Sequence, residues 1–118
     1  MGAPADSTQM DIDPAQLAAW MAEDPSLQVV DVREIYEREA GYIEGSLHIP
    51  LVELSSRAQE IELERPVVFY CRVGSRSDMA AQAFRASGSQ ALSMSGGLVR
   101  WAAENRPLAP EGGVVADH

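Results

Sequence analysis

The sequence predicts an α/β domain in which a mainly parallel sheet carries helices on both faces. Three observations point there. The apolar runs LQVVDV at 27–32, VVFY at 67–70 and ALSM at 91–94 are strand-sized and flanked by turn residues. Between them lie stretches with apolar residues at i, i+3 and i+4, the spacing of a helix with one buried face. Strands and helices alternate, and parallel neighbours require such crossovers.

At 118 residues, 46% of them apolar, the chain holds one globular domain and not two. The formal net charge is −9 and every one of the nine cations is an arginine. That acidity argues against nucleic acid or an anionic membrane as partner. An anionic ligand must then be drawn by local positive potential. The single cysteine excludes an internal disulfide, and two histidines far apart in sequence offer no metal-site spacing. There is no apolar run of membrane-helix length and no signal-peptide pattern at the start, so a cytoplasmic location is expected.

Residues 1–9 are small and polar and are expected to be a flexible lead-in to a domain over 10–107. Met10-Asp11-Ile12 suits a short first strand. Asp13-Pro14 opens a helix as N-cap and first helical residue, and Leu17, Trp20 and Met21 give it a core face over 14–23. Residues 27–32 form the next strand, ending in Asp31-Val32-Arg33. The charged stretch 34–40 makes one or two helical turns. GYIEGSLHIP at 41–50 carries a glycine turn and a short strand stopped by Pro50. Residues 51–57 suggest a short helix. After the strand at 67–70 comes a helix marked by Ala80, Ala83 and Phe84, with Asp78 in its first turn. A last strand at 91–94 and a helix over 98–105, with Leu98, Trp101 and Ala102 on one face, complete the domain. The proline- and glycine-rich end, 108–118, is an irregular tail: a plain tail, a cap over the site or a docking element.

The chemistry concentrates at Cys71-Arg72-Val73-Gly74-Ser75-Arg76-Ser77, where the central strand passes into a helix. Ligands of parallel sheets sit beyond the carboxyl ends of the strands, which is where Cys71 falls. A helix start beside the sulfur offers unpaired amides that favour a thiolate. Gly74 permits the positive φ that turns successive N–H groups inward as an anion cradle. Arg72 and Arg76 are placed to bind an oxyanion, Arg76 being the stronger candidate, and Ser75 and Ser77 to bond the sulfur or cap the helix.

Three stretches together resemble the rhodanese sulfurtransferases: DVREIYEREAGYIEGSLHIPL from Asp31, CRVGSRS from Cys71 and SGGLVRW from Ser95. Their order and spacing span about residues 10–107, the whole domain. The resemblance implies a five-stranded parallel sheet between helices and needs no cofactor. It makes Cys71 the nucleophile, with Arg72, Val73, Gly74, Ser75, Arg76 and Ser77 forming the substrate loop. Cys71 would take the outer sulfur of thiosulfate or of a persulfide donor, and pass it to cyanide or a thiol. Asp31 and Arg33, with Glu37 nearby, would support the loop's surroundings, and Gly96 and Gly97 would form a turn packed closely on it. Arg38, Tyr42 and His48 depart from the family's usual aromatic, histidine and asparagine. Two rivals remain. A cysteine phosphatase places one more residue between its cysteine and arginine than the four found here. A sulfur carrier would use the same persulfide to relay sulfur between partner proteins.

Overall fold

A computed structural model describes residues 9–117. The first eight residues of the expected flexible lead-in lie outside the described residues. Five strands form one sheet: β1 (Asp11–Ile12), β2 (Gln28–Asp31), β3 (Leu47–His48), β4 (Val67–Tyr70) and β5 (Ala91–Met94). Their spatial order is β1-β5-β4-β2-β3, and every pairing is parallel. The helices are α1 (Pro14–Glu23), α2 (Ile35–Ala40), α3 (Ser75–Ala86) and α4 (Gly97–Ala103).

Local chemistry explains the boundaries. Asp13 accepts from the Gln16 amide while the Gln16 side chain accepts from the Asp13 amide, a reciprocal cap that fixes the start of α1. Two segments differ from expectation. Residues 51–57 hold only a short 3₁₀ turn at Leu51–Glu53, and a second follows at Ala58–Glu60. These turns set Leu54 and Ile61 under the sheet without room for a full helix. The last helix begins one residue earlier and ends two residues sooner than the periodicity suggests, because Asn105 adopts a positive φ just past its end.

Strand alternation splits the core in two. Val29, Val68, Tyr70, Leu92 and Met94 face α1 and α4, packing on Leu17, Trp20, Leu98 and Trp101. Val30, Val67, Phe69 and Ala91 face the other way, onto Ala80, Ala81 and Phe84 of α3. Both tryptophans are therefore core residues. Cys71 follows the parity of Val67 and Phe69, so its side chain points to the α3 side. From β2 the chain proceeds to β3 at one edge, and from β4 to β5 in the opposite direction. The strand order switches between β2 and β4, and Cys71 lies just past the carboxyl end of β4. No described helix is long and apolar enough to cross a membrane.

Candidate active site

The site begins where β4 ends. Tyr70 closes the strand, Cys71 follows, and Gly74 takes a left-handed φ of 116° at the start of α3. That conformation, open to glycine, aims the Gly74 N–H at the sulfur, with nitrogen and Sγ 3.1 Å apart. Ser77, one turn into α3, sits with its Oγ 3.6 Å from Sγ. Its hydroxyl also bonds the Gly74 carbonyl at 3.0 Å and the Ser93 hydroxyl at 2.7 Å. A hydroxyl has one proton to give. When Ser77 gives it to Gly74, Ser93 donates to Ser77, and the Cys71 S–H also donates to Ser77 Oγ.

Cys71 itself is fully buried, within the apolar cluster that includes Phe69 and Ala80. The anion cradle expected from the loop sequence is thus closed over the sulfur in this conformation. From beneath, α4 supports it: the Leu98 and Val99 amides donate to the Cys71 and Arg72 carbonyls at 2.8 and 3.0 Å. Gly97, with φ 60°, makes that approach possible, since a Cβ there would strike the Arg72 carbonyl and lie 2.7 Å from the Val73 nitrogen. Gly96 also has a positive φ, 76°.

The two loop arginines diverge. Arg76 sends both terminal nitrogens to the Glu37 carboxylate, at 2.7 and 3.0 Å, and Glu37 is wholly buried. The Glu37 hydrogen bonds outweigh partial burial and raise the Arg76 affinity for its proton. Arg72 instead turns to the C-terminal segment, where Nε donates to the Ala116 carbonyl. Val73 and Ser75 are exposed.

Beside the loop, Asp31 and Arg33 form a fully buried bidentate pair at 2.7 and 2.8 Å. Burial opposes the Arg33 charge, but Asp31 more than compensates and raises the proton affinity of the guanidinium. Arg33 also holds the Gly41 carbonyl and lies 5.7 Å from the Tyr70 ring centre. Burial pushes the Tyr70 phenol well up from its ordinary range; its hydroxyl bonds the Ile43 amide and Ser46. Glu37 therefore serves the loop through Arg76, while Asp31 and Arg33 make a separate pair. Two of the residues that depart from the family pattern meet each other: Arg38 lies 3.8 Å from the Tyr42 ring centre and reaches Ser46 and Asp31. His48 bonds the Arg33 carbonyl at 2.8 Å.

Sequence reasoning missed the Glu37–Arg76 pair, the Ser93 hydroxyl and the hold of residues 116–117 on Arg72. Of these, only Glu37 left a trace, as an acid three residues after Glu34 whose carboxylate accepts from the Glu34 amide.

The site thus sets a cysteine just past the central strand of a parallel α/β sheet, beside a helix start opened by glycine. Residues 13–104 match the family model described as rhodanese-like domain, and the chain belongs to that family. It is 35% identical to a sulfurtransferase of Allochromatium vinosum over 86% of this chain and 97% of that protein. It is 41% identical to the uncharacterized protein YqhL of Bacillus subtilis over 63% of this chain, a match spanning only 60% of YqhL. It is 43% identical to the putative sulfur carrier protein YrkF of Bacillus subtilis over 55% of this chain and 35% of YrkF. The crystal structure of a rhodanese-related protein from Thermoplasma volcanium superposes with a TM-score of 0.79 at 28% identity, covering 86% of this chain and 99% of that one.

Proposed function

We propose that the protein is a sulfurtransferase whose covalent intermediate is a persulfide on Cys71. The observation that carries this reading is the Gly74 amide 3.1 Å from Sγ at the mouth of α3. A donor N–H and the positive end of a helix favour negative charge on sulfur, both before attack and after a second sulfur is added. Cys71 Sγ attacks the outer sulfur of thiosulfate; the sulfur–sulfur bond breaks and sulfite departs with its electron pair. Cyanide or a thiolate then attacks the terminal sulfur, leaves as thiocyanate or a persulfide, and returns Cys71 as thiolate. The two half-reactions predict ping-pong kinetics. Because Sγ is buried, the donor reaches it only as side chains around the loop move aside. The four-residue spacing from Cys71 to Arg76 supports a sulfur atom over a phosphoryl group as cargo. A reducing cytoplasm suits a lone reactive thiol.

The likeness to a putative sulfur carrier favours a second reading in which a protein persulfide is the donor. The experiment is thiocyanate formation from thiosulfate and cyanide. The wild type turns over and Cys71→Ser falls to background; equal rates in the two overturn the catalytic role. No turnover, with Cys71 gaining one sulfur from a cysteine desulfurase, selects the carrier. Arg76→Ala weakens thiosulfate use more than Arg57→Ala, whose guanidinium is spent on exposed Glu53 and Glu60. Equal effects would remove Arg76 from the donor site.

A further inference from the structure

Residues after α4 return across the molecule to the Cys71 loop. Trp101 Nε1 donates to the Pro107 carbonyl at 2.8 Å. Tyr42 and Ala109 exchange backbone bonds at 2.9 and 2.7 Å, and the Val114 amide donates to the Ala40 carbonyl at 2.8 Å. Leu108 and Val115 pack on the core beside α1 and α4. At Gly41 a Cβ would lie 2.7 Å from the Val114 nitrogen, so the crossing demands glycine. The segment ends on the loop: Arg72 Nε donates to the Ala116 carbonyl at 3.2 Å, and Nη2 lies 3.4 Å from Asp117 Oδ1.

The anchoring is uneven. Up to Val115 it rests on backbone bonds and apolar packing. The final step rests on Asp117, whose side chain is 95% exposed, the most exposed carboxylate of any ion pair among the described residues. Water and salt compete for such a contact. The Arg72 main chain, by contrast, is fixed by the Val99 amide. Letting go of the guanidinium therefore disturbs no backbone beside Cys71.

We propose that residues 116–117 are a releasable hold on Arg72, and that this hold determines how well the loop takes an anionic sulfur donor. The inference rests on the donor chemistry proposed above. While held, the guanidinium spends its forked donors on the Ala116 carbonyl and the Asp117 carboxylate. Released, it is a full cation one residue from the nucleophile, on a chain whose net charge of −9 otherwise repels anions. A sulfonate-bearing donor and Asp117 compete for the same nitrogens. Residues 116–117 are thus specificity-determining through Arg72.

The test uses Asp117→Ala, a deletion of residues 116–118 that leaves Leu108 and Val115 in place, and Arg72→Ala, singly and combined. One readout is the rate of phenylglyoxal modification at Arg72 relative to Arg57 in the same molecule, read by mass spectrometry. It needs no turnover, so it stands even where the sulfur-transfer reading fails. Modification of Arg72 quickens about threefold with Asp117→Ala, the scale of an exposed ion pair, and further with the deletion. The other readout is the thiosulfate Kd by calorimetry in a Cys71→Ser background, where no reaction occurs. Affinity tightens about two- to fivefold when the hold is removed, and the gain vanishes when Arg72 is alanine. Unchanged labelling overturns the hold. Faster labelling with an unchanged Kd, a gain that survives Arg72→Ala, or no thiosulfate binding in any variant overturns its role in donor specificity.

Discussion

Arg72 and Arg76 flank the same loop, carry the same charge and are held in opposite ways. Arg76 meets a carboxylate with no exposure, on a helix that packs beside the loop. Arg72 meets a carbonyl and an almost wholly exposed carboxylate on the last two described residues of the chain. The first arrangement gives the loop its shape, because a buried charge abandoned by its partner is expensive. The second can be exchanged at little cost. One loop thus combines a firmly held side at Arg76 with a loosely held side at Arg72, the side we propose meets the donor.

The largest expected effect tests the fixed side. Arg76→Ala strips the buried Glu37 carboxylate of its bidentate donor and destabilises the fold by about 3 kcal/mol. Arg72→Ala costs less than about 1 kcal/mol. Urea unfolding of both variants measures the difference, and similar costs would erase the contrast. Next comes Gly97→Ala, expected to cost about 2 kcal/mol because the new Cβ meets the loop backbone and the positive φ disfavours alanine. A silent Gly97→Ala would mean that the loop yields on both sides, since its main chain would have moved away.

Tyr70→Phe probes the same rigid region from below. Removing the hydroxyl takes the partner from the buried Ile43 amide, while Ser46 keeps the Ile43 carbonyl and Arg38, a loss of about 1–2 kcal/mol at neutral pH. It also changes the pH response. The folded phenol is held protonated above its ordinary value of 10.0, so the unfolded chain loses that proton first. Wild-type stability therefore falls as pH rises past about 10, and this particular decline is absent from Tyr70→Phe. Denaturant midpoints measured between pH 8 and 11 check the sign. The smallest effect belongs to the adjustable side: Asp117→Ala shifts stability by less than about 0.5 kcal/mol, within the range of surface substitutions.

This division also explains what could be read before the fold was seen. Strand-length apolar runs flanked by turn residues and the Asp13-Pro14 cap located the strands and α1, because local pattern and tertiary position agree there. The strand–glycine–helix order located Cys71. What stayed hidden was made by pairing over distance. Glu37 in DVREIYE looks like any charged helix residue until Arg76, 39 positions later, is folded onto it. The tail PLAPEGGVV has no periodicity, since it docks through backbone bonds between Ala109 and Tyr42 and between Val114 and Ala40 and through two widely spaced apolar contacts, Leu108 and Val115. The closed state of Cys71 was equally invisible. Exposure depends on how Phe69, Ala80 and the loop pack together, and no spacing encodes that.

The central claim is that sulfur travels on Cys71, the only cysteine of the chain. Intact-mass spectrometry after incubation with thiosulfate, and in parallel with glutathione persulfide, tests it directly. The wild type should gain a single sulfur on the peptide containing Cys71, lose it on addition of cyanide, and show neither change as Cys71→Ser. A wild-type mass unaltered by both donors would contradict the account.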